Sequence, residues 1–256
     1  DDILFFTNRG RVFQLKAYDV PESSRTAKGQ ALVNFLQLAP NERVSAMLSI
    51  DDISGGYKHL VMVTTKGTIK KCDIKDFETV RRSGLIAIKL KDGDNLEWVR
   101  PSSGNDDLVL ATAKGQAIRF EEKKIRSMGR TAGGVRGMRL KNDDVVVGMD
   151  VVDANLIKKG AFELLVIMQN GYGKRTNIKE FKVQGRGGSG IKLANVTPKT
   201  GKVVSMDVIN KDDVTDLLVI SNKGQTIRLP MQSVPSIGRA TQGVRVMRFK
   251  EDGGMV

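Results

Sequence analysis

Short apolar runs alternate with turns along the chain in an order that recurs five times. The runs are ILFFTNRG (3–10), LVMVTTKG (60–67), LVLATAKG (108–115), LLVIMQNG (164–171) and LLVISNKG (217–224). Apolar stretches this short, bounded by turn signals, predict buried strands. Asn-Arg-Gly, Thr-Lys-Gly, Gln-Asn-Gly and Asn-Lys-Gly predict hairpin turns in which glycine supplies a positive φ. The residues after each turn alternate, as in Thr68-Ile69-Lys70-Lys71 and Gln225-Thr226-Ile227-Arg228, and predict a second strand. The marker glycines Gly10, Gly67, Gly115, Gly171 and Gly224 stand 57, 48, 56 and 53 residues apart.

A second motif keeps step with the first. SRTAKG (24–29), VRRSG (80–84), GRTAGG (129–134), QGRGGSG (184–190) and GRATQG (238–243) close on a glycine 19, 17, 19, 19 and 19 residues after the marker. A β-like segment follows, as in VRGMRL (135–140), IKLANV (191–196) and VRVMRF (244–249). An acidic turn and a last strand, such as VVVGMDVV (145–152) or VVSMDVI (203–209), complete the unit. Each unit then holds about four strands in roughly 50 residues, the size of a propeller-type blade. Such blades bury their faces against neighbours. The repeats, near 1–52, 58–100, 106–153, 162–210 and 215–256, therefore predict one all-β domain over 1–256. Only 74–80 carries a helical signal, enough for one turn.

Charge changes the picture from architecture to partner. Lys and Arg total 42 and Asp and Glu 29, a formal charge of +13, which points to a polyanion. Aromatics are 5% of the chain, too few for the stacking platforms of single-strand binders, so duplex DNA held by its backbone is favoured. The repeats sort the cations into columns. Four places after the marker stand Gln14, Lys71, Arg119, Arg175 and Arg228. Four before the closing glycine stand Arg25, Arg130, Arg186 and Arg239, with Arg81 and Arg82 close by in the shorter second repeat. Two after it stand Arg136, Lys192 and Arg245. These residues, with Lys28, Lys70 and Lys174, are the expected DNA contacts, because arginine forks onto phosphates and a belt of cations follows a bent backbone. In the loop Gln184, Gly185, Arg186, Gly187, Gly188, Ser189 and Gly190, the bare glycines Gly187, Gly188 and Gly190 are expected to bring backbone N–H groups close to phosphates.

Catalytic chemistry finds little to stand on. The single histidine, His59, occupies the repeat position that elsewhere holds Asp2, Asp107, Glu163 and Asp216, and reads as a strand-entrance residue. Those acids come one per repeat, which suits hydrogen bonding rather than paired carboxylates. The doublets Asp51-Asp52, Asp106-Asp107, Asp143-Asp144 and Asp212-Asp213 fall in predicted turns. Cys72 is the only cysteine, so no internal disulfide forms, which fits a reducing compartment; a buried thiol is expected. Trp98 is expected to pack a strand. Tyr18, Tyr57 and Tyr172 lack a nucleophile context, no phosphate-binding loop motif or metal cluster is visible, and no apolar run approaches the roughly 20 residues of a membrane span.

The opening DDILFFTNRGRVFQLKAYDVPESSRTAKG, with GRTAGGVRGMRL and GRATQGVRVMRF, resembles the C-terminal DNA-wrapping domain of the DNA gyrase A subunit, of the type IIA topoisomerase family. The resemblance covers essentially the whole chain. It implies a β-pinwheel of four-stranded Greek-key blades that exchange strands, with double-stranded DNA wrapped on a basic rim so that the intact enzyme can introduce negative supercoils. It also implies a cytoplasmic, nucleoid-associated heterotetramer with the gyrase B subunit plus the rest of the gyrase A subunit. ATP and Mg would be held outside this chain, and the isolated domain would be monomeric. The family box Q-[RK]-R-G-G-[KR]-G lies in its first blade, whereas QGRGGSG here lies in the fourth repeat and departs at Gly185 and Ser189. A first blade upstream of Asp1, or a five-bladed protein, is the corresponding expectation. The equivalent domain of topoisomerase IV is the neighbouring alternative, then a propeller-like protein-interaction scaffold; a propeller enzyme would want clustered acids or histidines. The chain by itself is expected neither to cleave nor to relax DNA, with or without ATP; relaxation of a supercoiled plasmid by the purified chain would overturn this.

Overall fold

The computed structural model describes residues 2–24, 26–49, 55–81, 83–213, 215–249 and 254–256. Every apolar run forms the first strand of a hairpin and every alternating run the second. The first repeat has β1 (Asp2–Thr7), β2 (Arg11–Lys16) and β3 (Val44–Ser49). The second has β4 (His59–Thr64), β5 (Thr68–Asp73), β6 (Leu85–Ile86) and β7 (Leu96–Ser102). The third has β8 (Asp107–Thr112), β9 (Gln116–Glu121), β10 (Val135–Arg136) and β11 (Val146–Val152). The fourth has β12 (Phe162–Met168), β13 (Tyr172–Asn177), β14 (Ile191–Lys192) and β15 (Val203–Asn210). The fifth has β16 (Asp216–Ile220), β17 (Thr226–Pro230) and β18 (Val244–Arg245).

The chain gathers into two compact units, Asp1–Gly104 with Ile125–Arg136, and Asn105–Lys124 with Gly137–Val256. In the first unit the antiparallel sheets run β3-β1-β2-β6 and β10-β5-β4-β7. In the second they run β11-β8-β9-β14, β15-β12-β13-β18 and β16-β17. Each four-stranded sheet thus takes its outermost strand from the following repeat. The segments expected to be strands at 135–140, 191–196 and 244–249 contribute only two residues each, and they pair with the preceding repeat's second strand. The helical signal at 74–80 is a 3₁₀ turn, Ile74–Phe77, and similar turns follow the second strand in the other repeats. A six-residue helix, α1 (Ala154–Lys159), lies outside the expectation from sequence. Asp153 accepts hydrogen bonds from the N–H groups of Asn155 and Leu156, and Gly160 ends the helix at φ 76°.

Sheet position explains why the marker runs are continuously apolar instead of alternating. β1, β4, β8 and β12 are inner strands with packing on both faces. In the first unit Leu4 and Phe6 pack with Leu60, Met62 and the thiol of Cys72, while Phe5 points to the opposite face with Phe13 and Leu36. In the second unit Leu164 and Val166 join the larger core, and Leu165 and Ile167 face Met231 and Val234. β16 differs: its Leu218 and Ile220 are exposed. Cys72 is a fully buried free thiol, and burial pushes its proton affinity up.

The hairpin turns share one construction. The N–H of each marker glycine donates to the carbonyl three residues earlier, at 2.9–3.0 Å, and the glycines have φ of 74° to 79°. In four repeats a hydroxyl at that earlier position, Thr7, Thr64, Thr112 or Ser221, accepts from the N–H just after the glycine. Thr7 and Thr64 in turn donate to Glu42 (2.6 Å) and Asp94 (2.7 Å), so the acidic turn locks the hairpin. Burial alone would raise the Glu42 carboxyl, but Arg11, Thr7 and the Ala39 N–H outweigh it and hold it at about 2.

Two marker glycines separate the demand for φ from the demand for space. A Cβ on Gly171 would sit 2.4 Å from the Met247 carbonyl oxygen, whereas one on Gly224 meets nothing within 4 Å. Gly224→Ala is expected to cost about 1–2 kcal/mol, the left-handed penalty alone, and Gly171→Ala clearly more. Urea unfolding of both variants checks this; equal losses would refute the close-approach argument.

Candidate nucleic-acid interface

The columns read from the repeats separate into an interior set and a surface set. The cations four places after the marker lie on the second strands, where the segment ahead of the next repeat's closing glycine bridges Arg119 at Val183 and Arg175 at Ser236. Lys71, Arg119 and Arg175 are consequently buried. Arg119 bonds Asp107 at 2.7–2.8 Å, and Arg175 bonds Glu163 at 2.8 Å. The same guanidinium groups reach into the next repeat: Arg119 donates to the Phe181 carbonyl (3.2 Å) and Arg175 to that of Val234 (2.6 Å). Arg228 pairs with Asp216 in the same register, at the surface. Gln14 accepts from the Val80 N–H (3.2 Å). Asp107, Glu163 and Asp216 are therefore the partners of this column, whereas Asp2 pairs with Lys16, and Asp107 begins β8 instead of lying in a turn. As DNA contacts Lys71, Arg119 and Arg175 are corrected to buried groups, and Arg119 and Arg175 are internal staples, because an ion in the interior must be paired and hydrogen-bonded there.

Lys70 and Lys174, three places after the marker, are also interior, each with no exposed surface. Lys70 Nζ donates to the carbonyls of Ala87 (2.7 Å) and Arg130. Lys174 Nζ donates to the carbonyls of Gly238 (3.0 Å) and Arg239 (2.6 Å) and to Thr241 Oγ1 (3.3 Å). Burial pulls both ammonium groups down, Lys174 to about 8. They too are corrected from direct contacts to buried groups.

The loop 184–190 is likewise more internal than expected. The Gly187 N–H donates to the Gly137 carbonyl (2.8 Å), and the Gly188 carbonyl accepts from the Arg139 N–H (2.8 Å). A Cβ on Gly190 would lie 2.4 Å from the Ala117 carbonyl oxygen. The glycines at 187 and 190 thus serve close packing, not a phosphate nest. Gln184 N–H bonds the Arg119 carbonyl (2.8 Å), Gly185 has open space around it, and Arg186 Nε donates to the Lys124 carbonyl (3.2 Å).

What remains at the surface is carried by loops and strand ends. Lys28, Arg81, Arg136, Lys192 and Arg245 are exposed, and Arg130, Arg186 and Arg239 are half-buried. Arg239 donates to the Lys192 carbonyl (3.0 Å), and Arg245 lies over the Tyr172 ring at 5.3 Å. Arg25 and Arg82 lie outside the described residues. The sequence reading misses a further set. Arg9, Lys66, Lys114 and Lys223, each just before a marker glycine, are exposed, as are Lys89, Arg139 and Arg248, five places after a closing glycine. Both columns are visible when the repeats are aligned, but turn chemistry alone accounts for them there. In the second unit Lys114, Arg139, Lys141, Asn142 and Ser189 line one cleft of about 310 Å³. Among the described residues no cluster of three potential metal ligands occurs, and no helix is long and apolar enough to cross a membrane.

A repeat-built, all-β chain whose surface cations recur at equivalent loop positions defines a propeller-type module. The family model for the DNA gyrase C-terminal domain, beta-propeller, matches at 1–51, 58–103, 106–153, 163–210 and 215–256. The chain belongs to that family. It is 41% identical over 249 residues to the DNA gyrase A subunit of Staphylococcus epidermidis (strain ATCC 12228), covering 97% of this chain and 27% of the relative. It is also 41% identical over 252 residues to that of Staphylococcus aureus (strain MRSA252), covering 98% and 28%. The chain thus spans about a quarter of the length of these relatives. The fold matches the C-terminal domain of DNA topoisomerase IV with a TM-score of 0.87 at 24% identity, over 100% of this chain and 77% of that one. It matches a DNA gyrase A C-terminal domain with a TM-score of 0.81 at 25% identity, over 98% and 79%.

The interior and surface ion pairs should respond differently to mutation. Arg175→Met leaves Glu163 buried without its partner and is expected to cost about 3–5 kcal/mol. Arg228→Met removes an exposed pair and should cost about 0–1 kcal/mol. Urea denaturation midpoints at neutral pH compare them, and equal losses would refute the division.

Proposed function

We propose that the chain binds duplex DNA along its exposed loop cations and wraps it, as the C-terminal domain of a gyrase A subunit. In the intact enzyme, a cytoplasmic heterotetramer with the gyrase B subunit, this wrap serves ATP-dependent negative supercoiling; ATP and Mg act in other parts. The observation that carries the reading is the recurrence of surface cations at the same loop positions in successive repeats, Arg136, Lys192 and Arg245 after the closing glycine and Arg130, Arg186 and Arg239 before it. Phosphate contacts of this kind position a duplex without reading bases. Gyrase is favoured over topoisomerase IV by the 41% identity to gyrase A subunits along nearly the whole chain.

The test is binding to random-sequence duplexes of graded length across a salt series. Bending 20–30 base pairs costs on the order of 1–6 kcal/mol, repaid only when enough surface is contacted, so affinity should rise with length. Each change of Arg136, Lys192 or Arg245 to Ala should lower the slope of log affinity against log salt by about 0.9, with similar loss on every sequence. Unchanged slopes in all three folded variants, or a short sequence preferred on the order of a thousandfold, would overturn the proposal.

A further inference from the structure

Lys70 and Lys174 occupy the same repeat position and make the same unusual bond. Each is fully buried on the second strand of its hairpin, and each ammonium donates to the backbone carbonyl of the arginine four places before the next repeat's closing glycine, Arg130 or Arg239. The acceptors are carbonyl and hydroxyl oxygens, not carboxylates. A buried cation with uncharged acceptors is costly to keep, and burial lowers its hold on the proton. Hydrophobic residues fill the same position in the other repeats, Phe13, Ile118 and Ile227. There the facing loops close by another route. A Cβ on Gly84 would lie 2.7 Å from the Phe13 ring, and Gly188 lies over Ile118. Lysine therefore appears where the loop reads R-T-A-G-G or R-A-T-Q-G, and not where it reads R-G-G-S-G.

Orientation is the consequence. No peptide bond in the described residues is cis, so a carbonyl drawn inward sends the N–H on the same peptide the opposite way. With the Arg130 and Arg239 carbonyls on the ammonium groups, the amides of Thr131 and Ala240, both exposed residues, point away from them. We infer that Lys70 and Lys174 are positioning residues for two phosphate seats, each made of one arginine guanidinium, Arg130 or Arg239, and the following backbone N–H. The ligand class is a backbone phosphate of duplex DNA, and the inference rests on the DNA-binding reading above. The ammonium does not touch the phosphate. It fixes the loop that does.

A double-mutant cycle tests this on the 256-residue chain, with a labelled random-sequence duplex and well below pH 8, where Lys174 keeps its proton. Arg239→Ala should weaken binding about tenfold, the loss of one charge-assisted hydrogen bond, and lower the salt slope by about 0.9. Lys174→Met, folded by circular dichroism, should weaken binding and lower the slope similarly, although the residue is buried. The double variant should be no worse than Arg239→Ala alone, because both changes act through one seat. Lys70→Met with Arg130→Ala should repeat the pattern. If a Met variant does not fold, Thr241→Val, which removes the hydroxyl that accepts from Lys174 Nζ and donates to the Gly238 carbonyl, should still loosen the loop, seen as faster amide exchange over 238–243, and weaken binding only while Arg239 is present. Native affinity in the folded lysine variants or in Thr241→Val, or additive losses in the cycle, would overturn the positioning role. Native affinity and slope in Arg130→Ala and Arg239→Ala would instead overturn the placement of DNA on these loops.

Discussion

In three repeats the carbonyl of the turn glycine receives two amide N–H groups from the segment of the next repeat. Gly10 accepts from Ala87 and Ile88, Gly115 from Leu193 and Ala194, and Gly171 from Val246 and Met247, at 2.8–3.3 Å. This contact requires backbone to approach backbone with no side chain between them, which a Cβ at 2.4–2.7 Å from a carbonyl oxygen would forbid. The turn glycine therefore has two duties. It closes the hairpin with a positive φ, and it docks the segment that becomes the outer strand of the same sheet. The exchange of strands between repeats follows from that single docking point.

Once the outer strand is in place, the second strand of each hairpin is no longer an edge. Its residues lose access to water on both sides, and the charged ones must be satisfied internally. Arg119 and Arg175 meet an acid of their own hairpin and carbonyls of the next repeat. Lys70 and Lys174 meet carbonyls and, for Lys174, one hydroxyl. The buried cations thus fasten the sheets of the second, third and fourth repeats to the loops beyond them.

The repeat period, the hairpins and the closing glycines could be read from the chain because glycine position and apolar runs are local signals. Strand exchange is not local: Val135-Arg136 looks like the start of a strand of its own repeat, and only the pairing with Ile69 and Thr68 shows otherwise. The same gap misplaced Lys71, Arg119 and Arg175. An alternating second strand with a cation at its fourth place reads as a solvent-facing edge unless the bridging segment of the next repeat, at Val183 or Ser236, is known. The acids eight before the marker held the missing clue, since Asp107, Glu163 and Asp216 each lie twelve residues before the arginine they pair with. Helix α1 was legible in principle from the Asp153 cap and Gly160, but six residues give too little periodicity to see.

The formal charge of +13 is consequently a poor guide to the field a duplex would meet. Arg119 and Arg175 are neutralised where they stand by Asp107 and Glu163 and add little beyond the core. Lys70 and Lys174 are held by oxygen dipoles, while the charge of Asp76 acts on Lys70 and that of Glu180 on Lys174, and Glu180 also accepts from the Arg239 N–H at 3.0 Å. The location of a cation within the sheet and its loops, more than the count of cations, therefore decides whether it is open to a ligand.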